Sequence, residues 1–323
     1  MSVRFGIIST AHINRLVLAG ARESDRVEAV AVASRDLARA EEYAREHGIE
    51  RAHGSYEALL DDPDVEAVYI SLPNALHVEW SVKALEAGKH VLCEKPLSRR
   101  AADVERAFDA ADAAGRILTE AFMYRHNPQT ARLKELVDGG AIGRLRLVRA
   151  AFSFTVEDDA NVRLANDLDG GGLMDVGCYC VSGSRLLGGE PERVFARQVV
   201  GPSGVDVVFA GVMAFPGDVT AQFDCGLALP DRDELEVIGE EGSLFLDDPW
   251  HCRRPVIVMR RGDEVEEVSL TPVDSYRLEL ENLADAIRGD AEPLLGRDDA
   301  LGQARTIEAL YRSADEGVAV VPG

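Results

Sequence analysis

Lysine is scarce in this chain: Lys83, Lys89, Lys95 and Lys134 are the only four, and arginine supplies the rest of the positive charge. Positive charge as a whole is short, 35 Lys+Arg against 57 Asp+Glu, a formal net charge of −22. That balance argues against the clustered basic face that nucleic acid or an anionic membrane requires. No apolar run approaches the roughly 18 residues of a membrane-crossing helix. Cysteines are few and odd in number: Cys93, Cys178, Cys180, Cys225 and Cys252. None belongs to two Cys/His pairs at zinc-site distance, so they read as free thiols with no metal. The opening MSVRFGIIST is already a buried strand, without a charged segment, separate apolar stretch and cleavage site. Together these absences point to a soluble, cytoplasmic, unprocessed chain with neither nucleic acid nor membrane as partner.

What is present is a globular composition: 46% hydrophobic and 28% charged residues over 323 positions. At roughly 150 residues per domain, two domains are expected. From the start to about residue 120, continuous apolar runs (3–9, 27–34, 65–73, 90–94, 116–120, and a weaker one near 51–53) alternate with helix-length segments (13–22, 36–48, 55–60, 75–89, 99–115). Buried strands separated by helices predict a doubly wound parallel sheet, a Rossmann domain over 1–121. After a helix at 129–138 and a long strand at 143–156 the pattern changes. A Gly-rich turn opens a helix at 170–187, and strands at 193–200, 205–215, 218–227, 233–239, 243–246, 255–260 and 264–270 follow in near succession. Helices at 275–288 and 298–315 close the chain. This predicts an α+β domain over 122–323, built on a large, mostly antiparallel sheet.

A helix that follows the first strand of a parallel sheet points unpaired N–H groups at the crevice above the strands, where pyrophosphate binds. The usual G-x-G-x-x-G fingerprint is missing. Ser9-Thr10-Ala11-His12-Ile13-Asn14 contains no glycine, although the Ser9 and Thr10 hydroxyls can themselves donate to phosphate. Alone, this loop reads equally well as a tight strand-to-helix turn. The end of the second strand says more. A ribose 2′-hydroxyl calls for a carboxylate there, a 2′-phosphate for a cation and small donors. The residues are Ser34 and Arg35, with Asp36 in the place of a helix N-cap. NADP is therefore expected over NAD, the alternative being that Arg35 is an ordinary surface arginine.

Lys95 follows the fifth strand in Glu94-Lys95-Pro96, over the crevice, where a partly desolvated lysine can share its proton as an arginine cannot. Pro96 admits a cis peptide that would fix the turn. In the segment 170–179, three glycines permit close backbone approach where a helix begins. Asp175 and Tyr179 lie four apart, on one helical face. A carboxylate and a phenol so placed can hold a hydroxyl-bearing substrate and move its proton. Equally, Asp175 suits a helix N-terminal charge and Tyr179 a core aromatic.

Four motifs occur in order: Pro73-Asn74-x-x-His77, Glu94-Lys95-Pro96, Glu120-Ala121-Phe122-Met123-Tyr124-Arg125, and the Gly-Gly-Gly-x-x-Asp-x-Gly-x-Tyr run from Gly170 to Tyr179. Together they resemble the Gfo/Idh/MocA oxidoreductase family. Within it they look most like the NADP-dependent D-xylose and dimeric dihydrodiol dehydrogenases, which carry Tyr rather than His at position 179. The resemblance implies hydride transfer between NADP and a carbinol or carbonyl carbon of a sugar or cyclic polyol. It implies that Lys95 bonds the reacting hydroxyl, that Tyr179 is the general acid/base and that Asp175 orients the substrate. Ser9, Thr10, His12 and Ile13 would line the pyrophosphate loop, and Leu72, Pro73, Asn74, His77 and Glu94 would flank the nicotinamide ribose. Arg125 and Arg163 would reach the substrate. A homodimer or homotetramer through the C-terminal sheet is expected. Two other activities fit the same motifs: a redox-assisted glycosidase or lyase holding NAD(H) tightly, and a non-catalytic NADP-binding protein.

Overall fold

The structure is a computed structural model and describes residues 2–323. By its internal contacts the chain forms two compact units, one of residues up to 98 with 102–126 and 274–301, the other of 99–101, 127–273 and 302–323.

The first unit is built on β1 (Val3–Ile8), β2 (Val27–Ala33), β3 (Arg51–His53), β4 (Ala67–Ile70), β5 (His90–Glu94) and β6 (Leu118–Ala121). The order is β3-β2-β1-β4-β5-β6, and every pair is parallel. The winding reverses between β1 and β4, so the crevice beyond their carboxyl ends is the expected ligand position. Helices α1 (Asn14–Arg22), α2 (Leu37–His47), α3 (Tyr56–Leu60), α4 (His77–Glu86) and α5 (Ala101–Ala114) connect the strands. The strands are apolar because both faces are covered: all four residues of β4 are buried. Asp36 caps α2 by accepting from the Arg39 N–H, and Gly48 closes it with φ +69°. β4 is shorter than the expected 65–73. Pro73 has no N–H for a ladder, and residues 71–73 form the turn that leads into α4.

The second unit opens with α6 (Pro128–Asp138) and β7 (Leu145–Thr155), followed by α7 (Cys178–Gly188). Its remaining strands are β8 (Arg193–Val200), β9 (Asp206–Phe215), β10 (Val219–Gly226), β11 (Ala228–Gly239), β12 (Ser243–Asp247), β13 (Val256–Arg261) and β14 (Glu264–Ser269). Eight strands run in the order β14-β13-β12-β11-β7-β10-β9-β8, and only β7 and β10 pair in parallel. β11 begins earlier than expected, with an irregular register between Ala228 and Arg232. Burial alternates along β9 from Phe209 to Phe215, so one face of the sheet is covered and the other exposed. The expected helix at 170–187 has two parts, a π-helical turn over Leu173–Gly177 and then α7.

After β14 come α8 (Ser275–Arg288) and α9 (Arg297–Glu316). α8 packs with the first unit, whereas the contiguous division 1–121/122–323 places it in the second. Gly20 of α1 explains the close fit: a Cβ there would lie 2.6 Å from the Arg277 backbone N. None of the helices among the described residues is long and apolar enough to cross a membrane.

A larger side chain at Gly20 must push α8 off the sheet. Overpacking of this kind costs about 1–3 kcal/mol, more than the roughly 1 kcal/mol of helix propensity gained on replacing glycine. Gly20→Val is expected to lower the thermal midpoint by several degrees, measured by circular dichroism; an unchanged midpoint would show that α8 is not held there.

Candidate active site

At the switch point, Ser9 ends β1 with φ +106°, a conformation that favours glycine. Its side chain holds it there: the hydroxyl lies 2.8 Å from the Ser71 hydroxyl and 3.1 Å from the Ser71 carbonyl, and it accepts from the Ala11 N–H at 3.1 Å. Asn14, fully buried, donates its amide to the Ser9 carbonyl at 3.0 Å. The Ser9 hydroxyl is thus engaged within the turn, unlike the free phosphate donor expected from the sequence. The backbone remains available for that task. No side chain caps the start of α1, its first turn holds no acidic residue, and the Thr10, His12 and Ile13 amides find no acceptor among the described residues. Such a start fits an anion. Exposed His12 lies against Arg15, whose guanidinium brings positive charge nearby.

At the end of β2, buried Ser34 accepts from the Asp36 N–H at 3.3 Å, and exposed Arg35 lies against the Tyr56 hydroxyl. No carboxylate stands at position 34, and Asp36 is engaged as the cap of α2. These residues fit a phosphorylated ribose better than a free 2′-hydroxyl.

The turns after β4 and β5 are tied together by His77, which is 1% exposed. Its Nδ1 lies 2.9 Å from the Pro96 carbonyl and its Nε2 2.7 Å from the Leu72 carbonyl. Burial lowers its pKa against the pull of the two carbonyls, and the Lys95 charge adds to the lowering. Neutral imidazole can donate to only one of them. Pro73 and Asn74 lie between Leu72 and His77, and the Lys95–Pro96 peptide is cis. Glu94 is gripped from below: Tyr69 donates to its Oε1 at 2.5 Å, and its Oε2 accepts from the Lys95 N–H at 3.2 Å. Near it lies Glu279 of α8, 2% exposed, whose pKa is pushed well above the carboxylate range by burial and then by the Glu94 charge.

In the second unit the glycines of the predicted turn are required by contact. A Cβ at Gly170 would fall 2.4 Å from the Arg163 carbonyl. Asp175 sits in the π-helical turn and accepts from Arg163 Nε at 2.7 Å, so two predicted substrate residues form one ion pair. π-Helical turns are frequent at functional sites. Tyr179, 7% exposed, packs edge-on to Phe152 at 5.4 Å between centroids and lies 6.1 Å from Trp250. Phe152 and Trp250 were not among the residues singled out from the sequence, although Trp250 is one of only two tryptophans. Arg125 belongs to the first unit, where it pairs with Asp299 at 3.2 Å and is 11% exposed.

Asp233, Asp248 and His251 bring ligand-type atoms within 4.8 Å of one another, but Arg253 holds Asp248 at 2.6 Å, placing a cation where a metal would have to sit.

Residues 3–122 match the family model described as "Oxidoreductase family, NAD-binding Rossmann fold", and residues 130–245 match the GFO/IDH/MocA C-terminal domain. The chain is 41% identical to D-xylose 1-dehydrogenase (NADP(+)) 2 of Haloferax volcanii over 98% of each chain. It is 39% identical to trans-1,2-dihydrobenzene-1,2-diol dehydrogenase of Oryctolagus cuniculus, over 79% of this chain and 77% of that one. A 3-ketoreductase from Actinomadura kijaniata, crystallised with NADP and TDP-benzene, superposes with a TM-score of 0.92 at 32% identity, covering 97% of this chain and 98% of that one. With both domain models matched in order and a relative this similar along nearly its whole length, the chain belongs to the Gfo/Idh/MocA oxidoreductase family.

Proposed function

We propose that this protein is an NADP-dependent dehydrogenase or reductase acting between a carbinol and a carbonyl carbon of a sugar or cyclic polyol, with Lys95 and Tyr179 handling the proton. The observation that carries the cofactor choice is the end of β2, where Ser34 and Arg35 stand with no free carboxylate. The Haloferax xylose dehydrogenase and the Actinomadura ketoreductase, named with NADP, support it, and their sugar chemistry supports the substrate class.

NADP, when bound, accepts or supplies the hydride. The amides of Thr10, His12 and Ile13 would hold its pyrophosphate, and Arg35 with Ser34 its 2′-phosphate. Leu72, Pro73, Asn74, His77 and Glu94 would shape the ribose side. Lys95 donates a hydrogen bond to the substrate hydroxyl, and Tyr179 removes the hydroxyl proton in oxidation or returns it in reduction. A phenol has a pKa near ~10 and is a weak base at neutral pH. An ammonium within about 5 Å favours the phenolate and lowers that value by about one unit or more. Asp175, set by Arg163, orients a second hydroxyl. Phe152 and Trp250 keep water from the phenol. For the assembly, we propose a homodimer or homotetramer through the exposed sheet face, where Phe195 and Val212 pair across β8 and β9 at 41% and 44% exposure.

General acid/base assistance contributes about 10²–10⁴-fold. Lys95→Ala and Tyr179→Phe are each expected to lower kcat at least about tenfold on a responsive aldose or polyol, while NADPH binding, followed by fluorescence, persists. Near-normal turnover of Tyr179→Phe would remove the phenol as the base.

Loss of a charge-assisted bond to phosphate costs about 1.5–3 kcal/mol, equivalent to about 10–100-fold in affinity. Arg35→Ala is therefore expected to raise KM for NADP by that factor and to leave KM for NAD unchanged. Equal effects on the two cofactors would displace the 2′-phosphate from this site.

A further inference from the structure

Asp206, the first residue of β9, is 3% exposed and faces the glycine turn that opens the Asp175/Tyr179 segment. Its Oδ2 accepts from the Leu173 N–H at 2.7 Å, and its Oδ1 accepts from the Tyr311 hydroxyl at 2.8 Å. The turn is shaped around this carboxyl. Gly171 has φ +125°, and a Cβ on it would stand 2.2 Å from Asp206 Oδ1; a Cβ on Gly172 would stand 3.3 Å from Oδ2. The backbone passes where no side chain fits because the carboxyl of a distant strand fills the space. Leu173 is the first residue of the π-helical turn, so Asp206 holds that turn at its start, where Gly171 also accepts from the Asp175 N–H at 2.9 Å.

We infer that Asp206 is a positioning residue, fixing through the Leu173 amide the entry of the segment that presents Asp175 and Tyr179. The importance of that segment for turnover rests on the function proposed above; the placement of the turn does not.

The charged and titratable groups around Asp206 are Arg99, whose guanidinium lies 4.1 Å from the Tyr311 ring centroid and 3.5 Å from Asp169, together with Tyr311 and the buried Cys225 thiol. Burial raises the Asp206 pKa to about 6, against the Leu173 and Tyr311 hydrogen bonds and the Arg99 charge, which lower it. The sign follows from linkage. A closed turn that raises the pKa binds the proton more tightly than an opened, hydrated one, so closure is firmest below about pH 4 and weakens as pH rises through about 6. Asparagine reproduces the protonated acid: its carbonyl accepts from Leu173 and its amide donates to Tyr311.

The test is hydrogen–deuterium exchange of the 171–176 amides in the full chain, together with steady-state kinetics. Asp206→Ala is expected to speed exchange and lower kcat, each about tenfold, with KM for NADP unchanged. Asp206→Asn is expected to restore both. The wild-type to Asp206→Asn exchange ratio, in which intrinsic amide chemistry cancels, is expected to lie near one at about pH 3.5, to rise at least about tenfold between about pH 4 and 6, and to level off above that. Unchanged exchange in Asp206→Ala, an asparagine variant behaving like the alanine one, or a flat ratio would each overturn the proposal. Should Asp206→Ala fail to fold, the asparagine ratio decides alone. Exchange as expected in a wild type without NADP-linked turnover would support the placement and overturn the proposed function.

Discussion

The turn after β1 depends on a residue held in a backbone conformation it does not favour. A non-glycine residue in such a region costs on the order of 1–3 kcal/mol and persists only where its surroundings over-determine it. Ser9 is over-determined: its hydroxyl reaches Ser71 of the neighbouring turn and accepts from Ala11, while its carbonyl accepts from Asn14. Those contacts join the ends of β1 and β4 at the point where the sheet reverses its winding. The helix that follows starts uncapped, with the Thr10, His12 and Ile13 amides lacking an acceptor among the described residues, which suits an anion. Ser71 and Asn14 are therefore as much part of the nucleotide turn as the residues that would touch the nucleotide.

The same arrangement recurs around the turns after β4 and β5. Lys95 follows a strand paired on both sides, and its neighbours are held by buried groups. His77 lies between the Pro96 and Leu72 carbonyls, and Tyr69 fixes Glu94 by a hydrogen bond. Burial and the nearby Glu94 charge both raise the Glu279 pKa, favouring its neutral form beside Glu94. A protein site gains its geometry from such supporting contacts, because a side chain with several free rotamers would lose on binding the entropy that packing has already removed.

Much of the architecture was legible in the sequence because it follows from local periodicity. The strand-helix alternation, the Asp36 cap and the Gly48 stop each depend on residues within a few positions of one another. What the sequence concealed is non-local. Asp206 lies 33 residues beyond the Leu173 amide it binds, and α8 reaches α1 from the far end of the chain. Arg125 was read as a substrate residue from its motif alone, and its ion pair with Asp299, 174 positions away, has no sequence signature. The π-helical turn escaped for a different reason: glycines mark close approach, but an i→i+5 hydrogen bond has no compositional sign. The identity of the glycines was informative; what they approached was not.

The two turns solve one problem in opposite ways. The second brings a backbone amide to a negative group, and the first would do so on binding a pyrophosphate. In the first, the residue with φ +106° is a serine, and its own hydroxyl supplies the contacts that keep the turn tight. In the second, the negative group is already inside the protein, as the Asp206 carboxyl, and it occupies the volume that any side chain on Gly171 would need. A hydroxyl can therefore stand in for glycine where its own hydrogen bonds over-determine the strained backbone. Glycine is compulsory where the partner is a buried carboxyl at hydrogen-bond distance. The missing glycines of the first loop and the run of three in the second thus follow from the contacts around each turn, and both depend on atoms rather than on a motif.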